Sequence, residues 1–176
     1  MDVDDAGSAG PKDNLEPRFP DAADLVRICR RLNELGAKYV IIGGFAIIAS
    51  GMARTTGDVD ILIDADSENE ALVYKALEVL PDRAVRQLDP GDVAKYTVVR
   101  VVDEIIVDLM KTACGVEYTD VGGQVIIRDI DGVSIPFASP RLLWKMKAPT
   151  RREKDAPDLH FLRDYFRRLG EEPPEN

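Results

Sequence analysis

The sequence contains very little histidine and cysteine, and this limits the chemistry open to it. His160 is the single histidine in 176 residues, so neither a Ser/His/Asp nor a Cys/His catalytic set is visible. His160 stands on the last predicted helix, where we expect a structural role. Cys29 and Cys114 have apolar neighbours and no CxxC spacing, which disfavours a disulfide framework or a zinc site and predicts two buried structural thiols.

The sequence also lacks a long apolar run. The longest candidate, residues 39–48, is interrupted by Gly43 and Gly44 and is shorter than the roughly 20 residues that cross a bilayer. We therefore expect no membrane span. The first residues are acidic and polar, unlike the basic start and apolar stretch of a secretory signal, and this favours a cytoplasmic location.

Positive charge is scarce and unevenly distributed. The chain has 23 Lys and Arg against 32 Asp and Glu, a formal charge of -9, which disfavours nucleic acid or an anionic membrane as a partner for the whole molecule. Basic residues are concentrated between positions 141 and 170. Only that segment has enough positive charge to bind a phosphate.

Length and composition predict one soluble globular domain with short tails. The chain is 176 residues long, with 45% hydrophobic and 31% charged residues. Residues 1–20 contain Gly, Pro and Asp but few large apolar groups, and are predicted to be a mobile acidic tail. The domain is predicted to span residues 21–170, followed by a second tail at 171–176.

Apolar periodicity predicts a mixed α/β (α+β) architecture. Capping residues Ser67, Ser139 and Asp155 begin three of the helices, and the turns Asp103-Glu104 and Asp131-Gly132 join strands in hairpins, the second of type I′. These hairpins favour a largely antiparallel central sheet flanked by helices, with two helices at the C-terminal end. Helices are predicted at 21–36, 45–50, 67–80, 141–148 and 155–169, and strands at 38–42, 58–63, 95–102, 105–110, 125–130 and 133–138.

Three aspartates are the candidate catalytic and metal-binding residues. Asp58 and Asp60 lie two apart on a predicted strand, so both project from one sheet face, and their repulsion calls for a cation. Asp108 lies in an apolar strand, where an unpaired carboxylate is costly. If the two strands are neighbours, the carboxylates converge as hard oxygen ligands for Mg²⁺, and two metal ions there would activate an attacking oxygen and stabilise a leaving one.

Gly43 and Gly44 follow a predicted strand and open a helix. Backbone N–H groups at such a turn can receive a phosphate, although a Gly-Gly pair also fits a structural tight turn. Downstream, Lys145 stands on the helix that begins at Ser139 and can extend its ammonium group across the sheet edge. Lys147 lies about 200° further round the same helix, and we expect it to be far less important.

The segments 39–46 and 54–61 closely resemble the signature of the DNA polymerase β-like nucleotidyltransferase superfamily. In that pattern a strand ends in Gly-Gly or Gly-Ser, and Asp-x-Asp follows on the next strand. The lead-in from Arg54 to Thr56 and the downstream basic segment, with Lys145, Arg152, Lys154, Asp155 and Asp158, are similar to small bacterial nucleotidyltransferases related to abortive-infection (AbiEii-type) toxins.

The resemblance implies a role for each matching residue. Asp58 and Asp60 would ligate metal, and Asp108 would be the third carboxylate, which helps to draw the proton from the attacking hydroxyl. Gly44 departs from the serine common in the family, whose hydroxyl reaches a terminal phosphate. The implied nucleotide-binding set is Gly43, Gly44, Arg54, Thr56, Lys145, Asp155 and Asp158.

The function predicted from these features is Mg²⁺-dependent transfer of a nucleoside monophosphate from an NTP to an acceptor hydroxyl. The acceptor could be a tRNA end, a protein or a small molecule, and a toxin-type enzyme could have a cognate antitoxin. A large acceptor would need the basic C-terminal helices or a second subunit. The alternative is a catalytically silent module of the same fold that binds a nucleotide or a partner.

Overall fold

The computed structural model describes residues 16–175. This part contains six α-helices and eight β-strands, joined by short 3₁₀ turns. The helices are α1 (Ala22–Glu34), α2 (Gly43–Ala49), α3 (Ser67–Leu77), α4 (Asp92–Lys95), α5 (Pro140–Lys147) and α6 (Ala156–Arg168). The strands are β1 (Tyr39–Ile42), β2 (Asp58–Ile63), β3 (Val99–Val102), β4 (Ile106–Met110), β5 (Thr112–Ala113), β6 (Val116–Glu117), β7 (Val125–Ile130) and β8 (Val133–Ala138).

Six of the strands form one mixed sheet in the order β3-β4-β2-β1-β8-β7. The neighbours β1/β2, β3/β4 and β7/β8 are antiparallel, whereas β2/β4 and β1/β8 are parallel. The predicted architecture, a largely antiparallel mixed sheet flanked by helices with two C-terminal helices, is confirmed. Both predicted hairpins are present, and Asp131 and Gly132 have the positive φ values that a type I′ turn requires.

The parallel pairing of β2 with β4 places the two aspartate strands side by side. Asp60 is the register partner of Asp108, and this confirms the adjacency on which the carboxylate prediction depended. On the opposite face of β2, Val59, Ile61 and Ile63 are fully buried. Helices α1 and α3 pack against each other, while α2, α5 and α6 form a second group. The aspartates therefore face the α2, α5 and α6 side of the sheet.

Helix α1 begins at Asp21, which forms a reciprocal capping box with Asp24. The Arg18 guanidinium donates to both carboxylate oxygens of Asp24, at 2.7 and 2.8 Å, and its backbone N–H donates to the Glu104 carbonyl. Residues 16–20 thus contact the domain, while residues 1–15 of the predicted tail lie outside the described residues. The division into tails and domain stays a prediction.

Two local predictions are wrong for identifiable reasons. The cap of α3 is Asp66 rather than Ser67, because the Asp66 carboxylate accepts the Asn69 N–H. Glu70, three residues after Ser67, closes no capping box with it, because its buried carboxylate accepts the N–H groups of Gly91 and Val93. The strand predicted at 95–102 begins only at position 99, since the preceding residues form α4 and a loop.

The two cysteines differ in environment. Cys29 is fully buried in α1, as predicted, and burial raises the pKa of its thiol to about 12. Cys114 is exposed, so the prediction of a buried thiol is wrong for this residue. It occupies the turn between β5 and β6 with a φ of 52°, in a hairpin too short to show strand periodicity.

Membrane insertion through a helix finds no support in the described residues, where every helix is too short or too polar to span a bilayer.

Asn69 provides a test of the fold. Its side chain is 3% exposed. It bonds the N–H and carbonyl of Lys38 and the carbonyl of Asp64, at 2.7–2.9 Å, and so ties α3 to the ends of β1 and β2. Asn69→Ala removes the three hydrogen bonds made by this buried side chain and should lower the free energy of unfolding by about 2–4 kcal/mol in urea titrations. Glu68→Ala, on the exposed side of the same turn, should stay within about 0.5 kcal/mol of wild type, and equal losses would contradict this account.

Candidate active site

A cleft of about 680 Å³ opens over the sheet face that carries the aspartates. Its floor is formed by β2 and β4, one side by α2, α5 and the α5–α6 connection, and the other by the β3–β5 region. We call it the central cleft. Its charged lining consists of five aspartates and five basic residues: Asp58, Asp60, Asp108, Asp155, Asp158, Arg54, Arg100, Lys147, Arg152 and Lys154.

Asp58, Asp60 and Asp108 form a compact cluster on the cleft floor, here called the Asp cluster. One carboxylate oxygen from each lies within 4.8 Å of the others. Asp108 is 5% exposed, while the other two are half-buried. The convergence follows from the two-residue period of β2 and from the β2/β4 register.

Arg100 is a further residue of the candidate site, which the sequence alone did not indicate. Its Nε and Nη2 donate to the two carboxylate oxygens of Asp108 at 2.8 and 2.7 Å, and Nη2 also lies 3.4 Å from Asp58 Oδ2. The neighbouring carboxylates raise the pKa of the guanidinium, above all Asp108. The β3–β4 register places Arg100 opposite Asp108. That register is set by the turn, which has three residues between Val102 and Ile106 instead of the two predicted, so the predicted hairpin would place position 107 opposite Arg100.

Asp60 is less well compensated. Burial raises its pKa to about 7, and repulsion from Asp58 and Asp108 adds to the effect, while Lys147 and Lys154 partly oppose it. A second positive charge at the cluster would favour the ionised form. Three hard carboxylate ligands in one place are the donor set that Mg²⁺ prefers, so the residues of the Asp cluster fit a divalent metal.

Gly43 and Gly44 allow α2 to begin directly against the Asp cluster. Gly43 has a φ of 64°, and a Cβ there would lie 2.0 Å from Asp60 Oδ2. A Cβ on Gly44 would lie 2.4 Å from Thr56 Oγ1. Thr56 is buried, and its hydroxyl donates to the Asp58 carbonyl at 3.2 Å. Both glycines therefore have a steric role, whatever they bind.

The wall formed by the α5–α6 connection is a network of ion pairs. The Lys147 ammonium lies 3.0 Å from Asp155 Oδ1 and 3.1 Å from Asp158 Oδ2. Arg152 donates to Asp155 at 2.7 Å, and Arg54 pairs with Asp158. The Asp155 side chain is used here and makes no capping bond to α6, contrary to the prediction. These pairs hold the cationic groups at the cleft surface.

The structure places Lys145 outside the central cleft. Its ammonium group donates to Gln124 Oε1 at 3.1 Å, whereas Lys147 lines the cleft and is buried. The two lysines point to different sides of α5, as predicted. However, Lys147 faces the cleft and Lys145 faces away from it, whereas the prediction placed Lys145 at the site. The cleft brings together the other nine predicted site residues: Gly43, Gly44, Arg54, Thr56, Asp58, Asp60, Asp108, Asp155 and Asp158.

Comparison with known proteins supports the fold. No family model matches the sequence, and no curated protein matches it. The crystal structure of the lincosamide antibiotic adenylyltransferase LnuA, lincomycin-bound, is similar with a TM-score of 0.54 and 15% identity, over 82% of this chain and 98% of that chain. An antigenic nucleotidyltransferase-like protein from Paracoccidioides brasiliensis is similar with a TM-score of 0.51 and 18% identity, over 85% and 78% of the two chains. The chain therefore has a nucleotidyltransferase-like fold.

The two lysines of α5 should differ in their effect on stability. Lys147→Ala removes the cation shared by the buried Asp155 and Asp158, each of which keeps one arginine partner, and should lower the free energy of unfolding by about 2–3 kcal/mol. Lys145→Ala removes one partly buried hydrogen bond and should cost no more than about 1 kcal/mol in the same denaturant titration. The reverse order would contradict the placement of the two side chains.

Asp60 should make the metal-free protein less stable as pH rises. Its pKa is about 7 in the fold against an ordinary value of 3.8, so the folded state binds the extra proton between these values. The stabilisation is complete below the lower value and is lost as pH rises through the higher one, on the order of 4 kcal/mol in total. In EDTA, urea unfolding of wild type and Asp60→Asn across this range should show the fall only in wild type. Parallel curves would contradict the raised pKa.

Proposed function

We propose that the protein transfers a nucleoside monophosphate from an NTP to an acceptor hydroxyl in a Mg²⁺-dependent reaction. The single observation that carries this proposal is the convergence of three carboxylates within 4.8 Å on the floor of a cleft whose wall is basic. The nucleotidyltransferase-like fold is consistent with it. In the reaction, the acceptor oxygen forms a bond to the α-phosphorus as the bond to pyrophosphate breaks.

The Asp cluster would hold the metal, and Asp108 would accept the proton of the attacking hydroxyl. Bound Mg²⁺ supplies charge neutralisation at the phosphates and lowers the pKa of a coordinated hydroxyl. Asp108 fits its role because it is buried at the point where β4 meets β2. A carboxylate fixed in that way needs little reorganisation when the reaction begins.

The basic wall would orient the triphosphate. Lys147, Arg54 and Arg152 are each fixed by a carboxylate, so their charges are positioned before the nucleotide arrives. Charge developing on the leaving pyrophosphate is the charge that such fixed cations stabilise. Gly43 and Gly44 leave the space beside Asp60 and Thr56 free of side-chain atoms. We assign the predicted role of Lys145 to Lys147.

We propose a small hydroxylated molecule as the acceptor. Apart from Arg100, which pairs with the Asp cluster, the wall opposite the basic network carries no formal charge and is partly apolar, formed by Thr97, Val98, Met110, Thr112, Ala113 and Cys114. The cleft volume of about 680 Å³ lies within the roughly 300–1,000 Å³ of small-molecule sites. The net charge of -9 also disfavours a large RNA. The structural similarity to LnuA, an adenylyltransferase with lincomycin bound in its crystal, makes a lincosamide the first compound to test.

A labelling experiment separates the possible acceptors. The protein is incubated with Mg²⁺ and each α-labelled NTP, together with lincomycin, with total tRNA, or with no added acceptor. Label on a small molecule supports the proposal. Label on tRNA or on protein would favour the toxin-type enzyme, for which a cognate antitoxin is then sought. Nucleotide binding without transfer to any cellular fraction would favour the catalytically silent module.

The Asp cluster provides the decisive variants. Asp60→Asn and Asp108→Asn remove charge without removing volume, and each should lower the transfer rate by about 100-fold or more because the lost interactions act at the reacting centre. The change should appear in kcat more than in the KM for NTP. Asp131→Asn is the matched control, since Asp131 is exposed in the β7–β8 turn and Asn tolerates its positive φ equally well. Full activity in either cluster variant would overturn the proposed function.

A further inference from the structure

Arg100 is the only basic side chain among the described residues that forms an ion pair within the Asp cluster. Its planar guanidinium contacts both oxygens of Asp108 and one oxygen of Asp58. Those two carboxylates are the ones that a divalent metal would need together with Asp60. The guanidinium and the metal therefore compete for the same ligands.

We propose that Arg100 is an internal counter-cation that a divalent metal must displace, so that metal binds weakly alone and tightly together with a triphosphate. The first part, the competition, follows from the contacts of Arg100. The second part, the coupling to nucleotide, rests on the proposed function. Arg100 thereby sets the order in which the site assembles.

Competition is expected on electrostatic grounds. A guanidinium that bridges Asp108 and Asp58 would stand within a few ångströms of a divalent ion held by the same oxygens, and the two cations would repel each other. The bidentate contact with Asp108 also fixes the planes of both groups. A metal ligated by Asp108 must therefore weaken or break that contact.

Release of Arg100 is compatible with its position in the fold. It lies on β3, an edge strand of the sheet, and its side chain is 52% exposed although the Asp108 side chain is 6% exposed. The mobile partner of the pair is therefore the arginine, which can leave the carboxylates without being buried elsewhere. Because Arg100 lines the central cleft, its released guanidinium remains beside any bound phosphates.

The coupling between metal binding and triphosphate binding follows from thermodynamic linkage. A metal that binds alone must release Arg100 into water without a new partner, whereas the phosphates of an NTP offer an anionic one. Metal and triphosphate should then raise each other's affinity by the same factor. Without Arg100, a metal that binds alone has no guanidinium to displace. The factor by which metal and triphosphate raise each other's affinity should then be smaller.

The test compares Mn²⁺ binding, measured by electron paramagnetic resonance, with and without a non-hydrolysable ATP analogue. Arg100→Gln should bind Mn²⁺ alone roughly fivefold or more tightly than wild type, and should show a smaller gain on addition of the analogue. Arg152→Gln is the matched control. It removes the same charge from the same cleft but contacts Asp155 rather than the Asp cluster, so its Mn²⁺ affinity should change much less.

Arg100→Lys covers the possibility that the glutamine variant does not fold. It keeps the charge but loses the fork that spans both oxygens of Asp108, and its Mn²⁺ affinity should lie between wild type and Arg100→Gln. Circular dichroism and thermal melts in EDTA establish that each variant is folded. The metal-free melting temperature of Arg100→Gln should fall and recover when Mn²⁺ is added.

Two results overturn the proposal. Unchanged Mn²⁺ affinity in both Arg100 variants would show that the ion pair does not compete with metal. An equal increase in the affinity for Mn²⁺ alone in Arg100→Gln and Arg152→Gln would show a general effect of charge in the cleft. Failure of wild type to bind the analogue in the presence of Mn²⁺ counts against the proposed function instead, because the comparison with metal alone still decides the role of Arg100.

Discussion

Mutual repulsion among Asp58, Asp60 and Asp108 is the constraint on which the arrangement of the cleft depends. Adjacent parallel strands bring the three carboxylates together, with hydrophobic residues buried on the far side of β2. The register that concentrates charge on one face is the register that buries the core on the other, so the sheet cannot slip to relieve the repulsion. Compensation has to come from side chains on other elements or from a bound cation.

The surrounding elements provide this compensation unequally. Arg100 forms ion pairs with Asp108 and Asp58 from β3, whereas Asp60 has no ion pair among the described residues, and burial together with the neighbouring carboxylates raises its pKa. The Asp60 carboxylate lies where α2 begins, packed against the backbone of Gly43. The fold thus keeps one carboxylate of the cluster without an ion-pair partner among the described residues, at the N-terminus of α2.

The sequence predicts the chemistry of the strands better than the contacts between elements. The placement of Asp58, Asp60 and Asp108 follows from strand period and apolar runs, which are local properties. The sequence placed Lys145 rather than Lys147 at the cleft because helical period gives only the angle between two side chains, while the face that lines the cleft is set by packing of α5 on α2 and α6. Arg100 could not be found without the β3–β4 register, and Cys114 lies in a hairpin only two residues long on each side.

Charge balance within the cleft is compatible with the proposed binding of an anionic nucleotide by an acidic protein. The chain carries -9 overall, yet the cleft lining has equal numbers of aspartates and basic residues, most of them already paired. Such a surface has little net attraction for a free metal ion or a free triphosphate, since each would have to break existing ion pairs. A metal–nucleotide complex brings both signs at once. Such a complex would replace the internal ion pairs with new ones, between basic side chains and phosphates and between metal and carboxylates, and under the proposed function the cleft would favour the complex over either component.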